Sequence, residues 1–530
     1  MKRKRKLREY PEGCFQRIEE LLLEGFTITR ASEIVCDEFN VKYDDSVRKF
    51  FSNKLNKAGI TDNTKDSELE ETDVFKEAKN KVYDSSKTRF IISWAQSETP
   101  IHEQFLTNIE AYSKVIDASI HVIAGRYKNP TSLSSNKNTQ DKEKDLSNTW
   151  HERVIPYLDA ARHKIHPNLC ILSDVKVQPT ASTPLSGLNG LTGLESCIIG
   201  HPRVHLKSLP ILDGYPHKLL VTTGSVSVDN YTDTKAGKKG EFHHTLGFAV
   251  VELEGDIFHV RQVTADEDGS FYDLTLFVDN GHVHKHSGAE AIIFGDLHLG
   301  ETNNDVLKTS FHLADLLNCK NIVLHDVFNG HSISHHERNQ PFALLKREGD
   351  GSDDLIKELT QMVDFFDEYL DYDFVMVRSN HDEFLDRWLS DVDWRKTSNK
   401  SAYLKLAAML ANDTDSKGII PLYLKDKCDN VYCLGLDESY RILDIECGMH
   451  GHKGANGSRG GVIQFKNMNT KNITGHTHTP CREDGHSSVG TLTHLRVGYN
   501  TGPSSWMNSN IVIYPNGKHQ HVHLINKSRI

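Results

Sequence analysis

The C-terminal part of the chain sets the tightest limit on its fold. Five short apolar runs there each end in carboxylate, imidazole or amide side chains. AEAIIFGDLHLG carries Asp296 and His298, and NIVLHD carries Asp326, with Asn329 just beyond it. DFVMVRSNHD carries Asn380, His381 and Asp382, RILDIECGMHGH carries His450 and His452, and NITGHTH carries His476 and His478. Short apolar runs bounded by polar turns read as buried strands. Between them NDVLKTSFHLADLLN and DDLIKELTQMVDFFDEYL show helical periodicity. Strand–helix alternation gives an α/β domain whose sites gather at the carboxyl ends of the strands. Gathered there, these groups offer nitrogen and oxygen ligands and no thiolate, a set suited to divalent ions such as Mn²⁺, Fe²⁺ or Zn²⁺. A single HxH or DxH arises easily by chance. The order of the set and its placement after apolar strands carry the weight. His331, His335 and His336 read equally well as surface-loop residues, as does His452, and are left outside the metal shell.

A chain of 530 residues calls for two or three domains. Residues 1–60 read as a small helical unit with Lys2, Arg3, Lys4, Arg5 and Lys6 at its start. Thr27 or Thr29 is placed to cap its second helix, and Asp44 or Asp45 its third. The short NVKYD turn resembles that of a helix-turn-helix, with Ser46, Arg48, Lys49 and Asn53 on the recognition helix. A three-helix packing or oligomerisation module with a solvated basic tail fits the same residues as well. Residues 61–87 are polar and charged and read as a linker. Residues 88–285 read as a middle α/β domain of unknown role, opening with a β-α-β unit through RFIISWAQ, HEQFLTNIEAYSKVI and ASIHVIAGRY. Short strands follow, SFYDLTLFV among them. Trp94, Gln96, Arg126, Tyr127, Lys128 and Trp150 are read as structural there rather than as a groove.

Composition excludes several classes. Apolar residues at 37% and 22 Phe, 17 Tyr and 5 Trp are enough to build cores, which excludes a mainly disordered chain. No apolar run approaches the roughly 18–20 residues of a membrane span, and no apolar segment follows the basic start as in a secretory signal. Nine scattered cysteines without a CxxC pair argue against a disulfide framework and fit a reducing cytoplasm. A net charge of −11 means that any nucleic-acid binding must come from local patches.

The ordered motifs Gly295-Asp-Leu-His298, His325-Asp326, Ser379-Asn-His-Asp382, His450-Gly451 and Gly475-His-Thr-His478 resemble the signature of calcineurin-like metallophosphoesterases, in its Mre11/SbcD-like nuclease branch. The likeness covers roughly residues 290–515. His325 and Ser379 stand where that signature has glycine, departures that touch loop shape rather than ligands. The resemblance implies an α/β fold: a metallophosphoesterase β-sandwich flanked by helices over 286–530, beside the middle α/β domain and the N-terminal helical unit. It implies two divalent ions, Mn²⁺ first, with Mg²⁺, Fe²⁺ or Zn²⁺ as alternatives. Asp296, His298 and His478 would hold one, Asn380, His450 and His476 the other, and Asp326 both. Two cations about 3.5–4 Å apart activate water and grip phosphate oxygens. His381 would face the substrate and protonate the leaving oxygen. Asn329 falls where many family members place an Asp that orients this histidine, and Asp382 would support the site from behind.

The motifs leave the phosphoester open between a nuclease and a phosphomonoesterase, either a protein phosphatase or a nucleotidase. Arg378 before Ser-Asn-His is similar to the arginine of Ser/Thr phosphatases, but HDVFNGHS lacks the Asp-Arg-Gly that those enzymes use. The basic start, the phrases SWAQSETPIHEQFL and AGRYKNPTS and the C-terminal motifs together resemble the pre-early, host-DNA-degrading proteins of T5-like bacteriophages. That implies a metal-dependent DNase of the infected bacterial cytoplasm, with DNA as partner, contacted by Lys2–Lys6, Arg48 and Lys49, and with no membrane. Assembly into homo-oligomers, protein partners and endo- versus exonuclease action stay open.

Overall fold

A computed structural model describes residues 10–11, 13–23, 28–43, 47, 49–52, 54, 73–127, 149–286, 288–334, 340–413, 417–498 and 500–525. It divides into two compact units, Met1–Asp73 and Val74–Ile530. In the first, helices Cys14–Leu23 and Ile28–Glu38 bury Ile18, Leu21, Ala31 and Val35 with Val47 and Phe51. The spacing of 14, 18 and 21 puts one apolar stripe inward. Arg17 Nε ties the helices by donating to Glu38 at 3.1 Å. Lys49 is exposed, while Lys2–Lys6, Arg48, Ser46, Asn53, Thr27 and Asp44–Asp45 lie outside the described residues.

The larger unit is built on three main sheets and a small three-stranded one. The expected β-α-β unit is present: Arg89–Gln96 and Ser119–Gly125 pair in parallel across helix Glu103–Val115. Leu158–Asp159 extends this sheet on one side, Gly247–Glu254 and Ile257–Thr264 on the other. Trp94, Gln96, Tyr127 and Trp150 are buried in this region, and Arg126 lies over the Phe75 ring at 4.7 Å, so they serve the core as read; Lys128 lies outside the described residues. Within the segment read as a linker, Asp73–Lys79 is a helix whose Phe75 and Ala78 are buried, Phe75 stacking on Trp150 at 5.6 Å. SFYDLTLFV, read as one strand, is a hairpin of Phe271–Asp273 and Leu276–Asp279, broken where Leu274 takes φ 49°.

Ala291–Ile293, Asn321–Leu324, Asp373–Met376 and Val431–Cys433 form the parallel part of a six-stranded sheet, completed by Ser509–Ile513 and His519–His523. One face, with Ile292, Ile322, Leu324 and Phe374, packs on helices Asn304–Leu316 and Leu355–Glu368. The other, with Ala291, Ile293, Val323 and Val375, packs on Ile445, Ile473 and Val489 of a ten-stranded sheet. This is a β-sandwich flanked by helices, and successive residues alternate between its two cores. The ten-stranded sheet joins strands of the middle region, Arg162–His166 through Lys218–Thr222, to Lys471–Thr474, Cys481–Glu483 and His486–Ser488. The seam is the antiparallel pairing of Cys481 with Lys207 and Arg482 with Leu206. The expected boundary at 285–286 therefore separates no compact units. An edge strand with unpaired backbone groups found its partner more than two hundred residues away, a pairing that local pattern does not encode. Among the described residues no helix is long and apolar enough to cross a membrane.

Candidate metal centre

Five loops meet at the carboxyl ends of strands from both layers of the sandwich, and four of them are tied together through the main chain. Backbone bonds fix them to one another: His298 N donates to Asp326 O at 2.7 Å, Gly475 N to His450 O at 2.8 Å, and His476 N to the Asp296 carboxylate at 2.7 Å. His298, Asp326, His476 and His478 take φ of 46°, 48°, 71° and 55°. Left-handed backbone at a non-glycine residue costs about 1–3 kcal/mol each and persists where surrounding structure dictates it, typically at a functional site. Gly475 is required by close approach, since a Cβ there would sit 2.2 Å from Asp296 Oδ1.

Side chains of the five motifs lie close to one another. Asp326 Oδ2 lies 3.4 Å from His298 Nε2 and 3.1 Å from His450 Nε2. His478 Nε2 lies 3.0 Å from Asp296 Oδ2 and 3.1 Å from His298 Nε2. His450 Nε2 is also 3.0 Å from Asn380 Oδ1, and the half-buried His476 ring lies 5.2 Å from that of His450. Asp296, His298, Asp326 and His478 form a buried group able to hold a metal ion. Ligand atoms at about 2.0–2.2 Å from one ion stand roughly 3–3.5 Å from each other, the spacing found here. The hydrogen-bond inventory agrees: Asp296 Oδ1, Asp326 Oδ1, His298 Nδ1 and His478 Nδ1 are buried without a partner. Two imidazole nitrogens facing each other beside orphaned carboxylate oxygens fit a cation between them. A second buried group, His121, Asp159 and His163, behaves differently. There Asp159 accepts from both rings, at 3.0 and 2.8 Å, and none of the three contributes an orphaned buried atom.

The buried carboxylates and imidazoles shift one another's protonation. Burial alone would push the His450 imidazole down, but Asp326 and Asp296 outweigh it and lift the group to about 9. Burial pushes the Asp326 carboxyl up, yet His450, His381 and His298 together hold it well below the ordinary carboxylate range. Burial pushes His298 down to about 3 and His476 to about 4.

His381 stands at the start of helix Asn380–Asp391, half-buried, its ring 4.6 Å from that of His298. Its Nδ1 bonds the backbone carbonyl of Asn329, so the main chain and not the Asn329 amide orients the ring. Asp382 faces the helix start: its carboxylate accepts from Ser379 N at 2.8 Å while Ser379 Oγ accepts from Asp382 N at 3.2 Å. This capping box holds Asn380 and His381 in place, and burial lifts the Asp382 carboxyl to about 7. Arg378 is turned away, engaged by Asp386 and the carbonyl of Lys417. His452 lies near Glu383, at 3.4 Å, with its ring 6.0 Å from His476. His331 is half-buried with its backbone held by Glu358 and Arg347, and His335 and His336 lie outside the described residues. Trp506 escaped the sequence reading, and His325 was read there only as a change in loop shape. His325, fully buried, puts Nδ1 3.5 Å from His450 Nδ1, and the Trp506 ring packs edge-on to His478 at 4.1 Å. His325 stood in plain view before Asp326; no local signal marks Trp506.

Over 457 residues the chain is 32% identical to Protein A1 of Escherichia phage T5, covering 81% of this chain and 80% of that protein. This chain belongs to the Protein A1 family. No protein-family model matches it. Among solved structures, Chaetomium thermophilum Vps29 complexed with a cyclic peptide overlaps 37% of this chain and 94% of its own length at 12% identity, with a TM-score of 0.19, too slight a likeness to bear on the site. In this Protein A1 relative the buried Asp/His group thus sits inside a mixed α/β fold.

Proposed function

We propose that this Protein A1 relative is a calcineurin-like metallophosphoesterase that hydrolyses phosphodiester bonds in DNA with two divalent ions, Mn²⁺ foremost. The observation that carries the reading is Asp326 Oδ2, which stands between His298 Nε2 and His450 Nε2 as one carboxylate shared by two ligand sets. Asp296, His298 and His478 would complete one set, and Asn380, His450 and His476 the other. Ions bound there would polarise phosphate oxygens and supply a water-derived nucleophile at neutral pH.

The chain's own groups do the rest. A carbonyl can only accept, so the bond to Asn329 O places a proton on His381 Nδ1 and leaves Nε2 to hold or release the second proton. From beside His298 that nitrogen is positioned to protonate the leaving oxygen, a contribution of about 10²–10⁴-fold. The Ser379–Asp382 capping box keeps it from drifting. Family membership fits a phage-encoded enzyme, and the basic residues Lys2–Lys6, Arg48 and Lys49 would supply phosphate contacts that the acidic whole lacks. The phosphomonoesterase reading loses its one support, because Arg378 is committed to Asp386 and Lys417.

The test is cleavage of supercoiled and linear duplex DNA with Mn²⁺, Mg²⁺, Zn²⁺ or EDTA, beside p-nitrophenyl phosphate and its bis ester. Metal-dependent loss of DNA that Asp326→Ala abolishes is the expected result. Intact DNA with rapid monoester turnover would replace the reading with a phosphatase. Removal of residues 1–60 should weaken duplex binding and flatten its salt dependence; an unchanged slope would return that unit to a packing role.

A further inference from the structure

Away from the metal centre, a cavity of about 620 Å³ opens in the larger unit. Arg203, Lys239, Lys466, Lys471, Arg482 and Lys518 line it, against a single carboxylate, Asp484. Four of these cations have carboxylate partners, so among the described residues the uncompensated positive charge at the cavity rests on Lys239 and Arg482. Asp484 is already taken, by Arg203 at 2.9 Å and His205 at 3.1 Å. Lys466, Lys471 and Lys518 pair with Glu483, Asp444 and Asp266, none of which lines the cavity.

Arg482 is the telling residue. It is 9% exposed, its Nη1 donates to the carbonyl of His519 at 3.3 Å, and no carboxylate reaches it among the described residues. A buried guanidinium without an anion is costly and is retained where something supplies the missing charge. Phe242, 83% exposed, lines the same cavity and offers a face for a planar ring. The volume exceeds what a bare phosphate needs and lies in the range of small-molecule sites. The strand Lys471–Thr474 has Lys471 at the cavity and leads at its other end into the loop of His476 and His478, about 13 Å on at 3.3 Å per residue.

We infer that this cavity is a second site, which binds a nucleoside monophosphate group, free or at the 5′ end of a DNA strand, with Arg482 on the phosphate and Phe242 against the base. As a DNA-end site it rests on the nuclease reading; as a nucleotide site it stands alone.

The experiment uses the full-length protein in EDTA, which silences the metal centre. The probes are deoxyadenosine, deoxyadenosine 5′-monophosphate, and a hexadeoxynucleotide with and without a 5′-phosphate, followed by calorimetric titration and thermal shift. Phosphorylated probes should bind saturably and raise Tm, and deoxyadenosine should not. Arg482→Gln should lose at least tenfold in affinity and, freed of an unpaired buried charge, melt higher than wild type without ligand. Lys239→Glu, at an exposed position, should lose affinity several-fold at unchanged Tm, and carries the test alone should Arg482→Gln misfold. Equal affinity for the free nucleotide and the phosphorylated hexamer marks a nucleotide site; a preference for the hexamer marks a strand end. The inference is overturned if neither phosphorylated probe binds, if deoxyadenosine binds as well as its monophosphate, or if both variants bind like wild type. Metal-dependent DNA cleavage without binding in EDTA would sink this site and spare the nuclease. Binding without cleavage under any metal would do the reverse.

Discussion

Gly475→Ala separates the geometry of the metal centre from its chemistry, because it adds one methyl group and removes no ligand. The Gly475 backbone lies outside the left-handed region, so alanine meets no conformational penalty there. What it meets is Asp296 Oδ1 at 2.2 Å and the His325 side chain at 2.9 Å. Real Cβ contacts essentially never fall under 3.0 Å, so the Asp296 oxygen must retreat by 0.8 Å, the difference between 3.0 and 2.2 Å. Metal–ligand distances tolerate about ±0.2 Å. The required shift is several times that, and it also disturbs the bond from His476 N to the same carboxylate. Displacing a group that orients ligands typically costs about 10–100-fold in metal affinity, or about 1.4–2.7 kcal/mol. Overpacking adds about 1–3 kcal/mol of lost fold stability. Titration calorimetry with Mn²⁺ and Zn²⁺ reads the affinity, and circular dichroism confirms the fold. Gly485→Ala is the control, since its nearest neighbour would be Thr470 O at an ordinary 3.6 Å. Wild-type metal affinity in Gly475→Ala would refute the claim that Asp296 is held at a ligating distance by the absence of a side chain at 475.

The other expectations are shorter. His381→Ala should keep its metal content by mass spectrometry while DNA cleavage falls by about 10²-fold or more; lost metal would move His381 into the ligand shell. Asn329→Ala should cleave within about threefold of wild type, because the main-chain carbonyl holds His381; a loss matching that of His381→Ala would give the amide the orienting role. Asp326→Asn should lose bound metal and cleavage together, and a variant that kept either at the wild-type level would contradict the shared carboxylate. Acid stability should depend on Asp273: burial pushes its carboxyl up, but the Arg261 guanidinium, bonded at 2.9 and 3.0 Å, outweighs it and holds the group below its ordinary value. A depressed carboxylate adds stability that is fully present above its unfolded pKa of about 3.9 and is lost as pH falls through the lower folded value. Asp273→Asn should therefore cost about 3–5 kcal/mol near neutral pH, by leaving Arg261 short of a partner, and progressively less below pH about 4. Denaturant melts that show the same loss at pH 3 and pH 7 would contradict this.

What the sequence determined by itself was chemistry and local form. Asp296, His298, Asp326, Asn380, His476 and His478 follow apolar strands that formed where the pattern put them, because buried strands carry their own signature of short apolar runs. RILDIEC before His450, read as one strand, is instead two short strands, Arg441–Ile442 and Ile445–Glu446, turned where Leu443 takes φ 54°. The β-α-β unit was legible for the same reason, a period of two giving way to one of 3.6. Only the tertiary structure decided which oxygen orients His381, since a backbone carbonyl is present at every residue and no side chain announces its use. It alone placed Trp506 against His478, and it alone joined Cys481–Glu483 to Leu206–Leu209, a contact whose partners share no local pattern. The cationic cavity belongs to the same class. Arg203, Lys239, Lys466 and Arg482 are scattered basic residues along the chain, and they become one electrostatic feature where strands distant in sequence lie side by side.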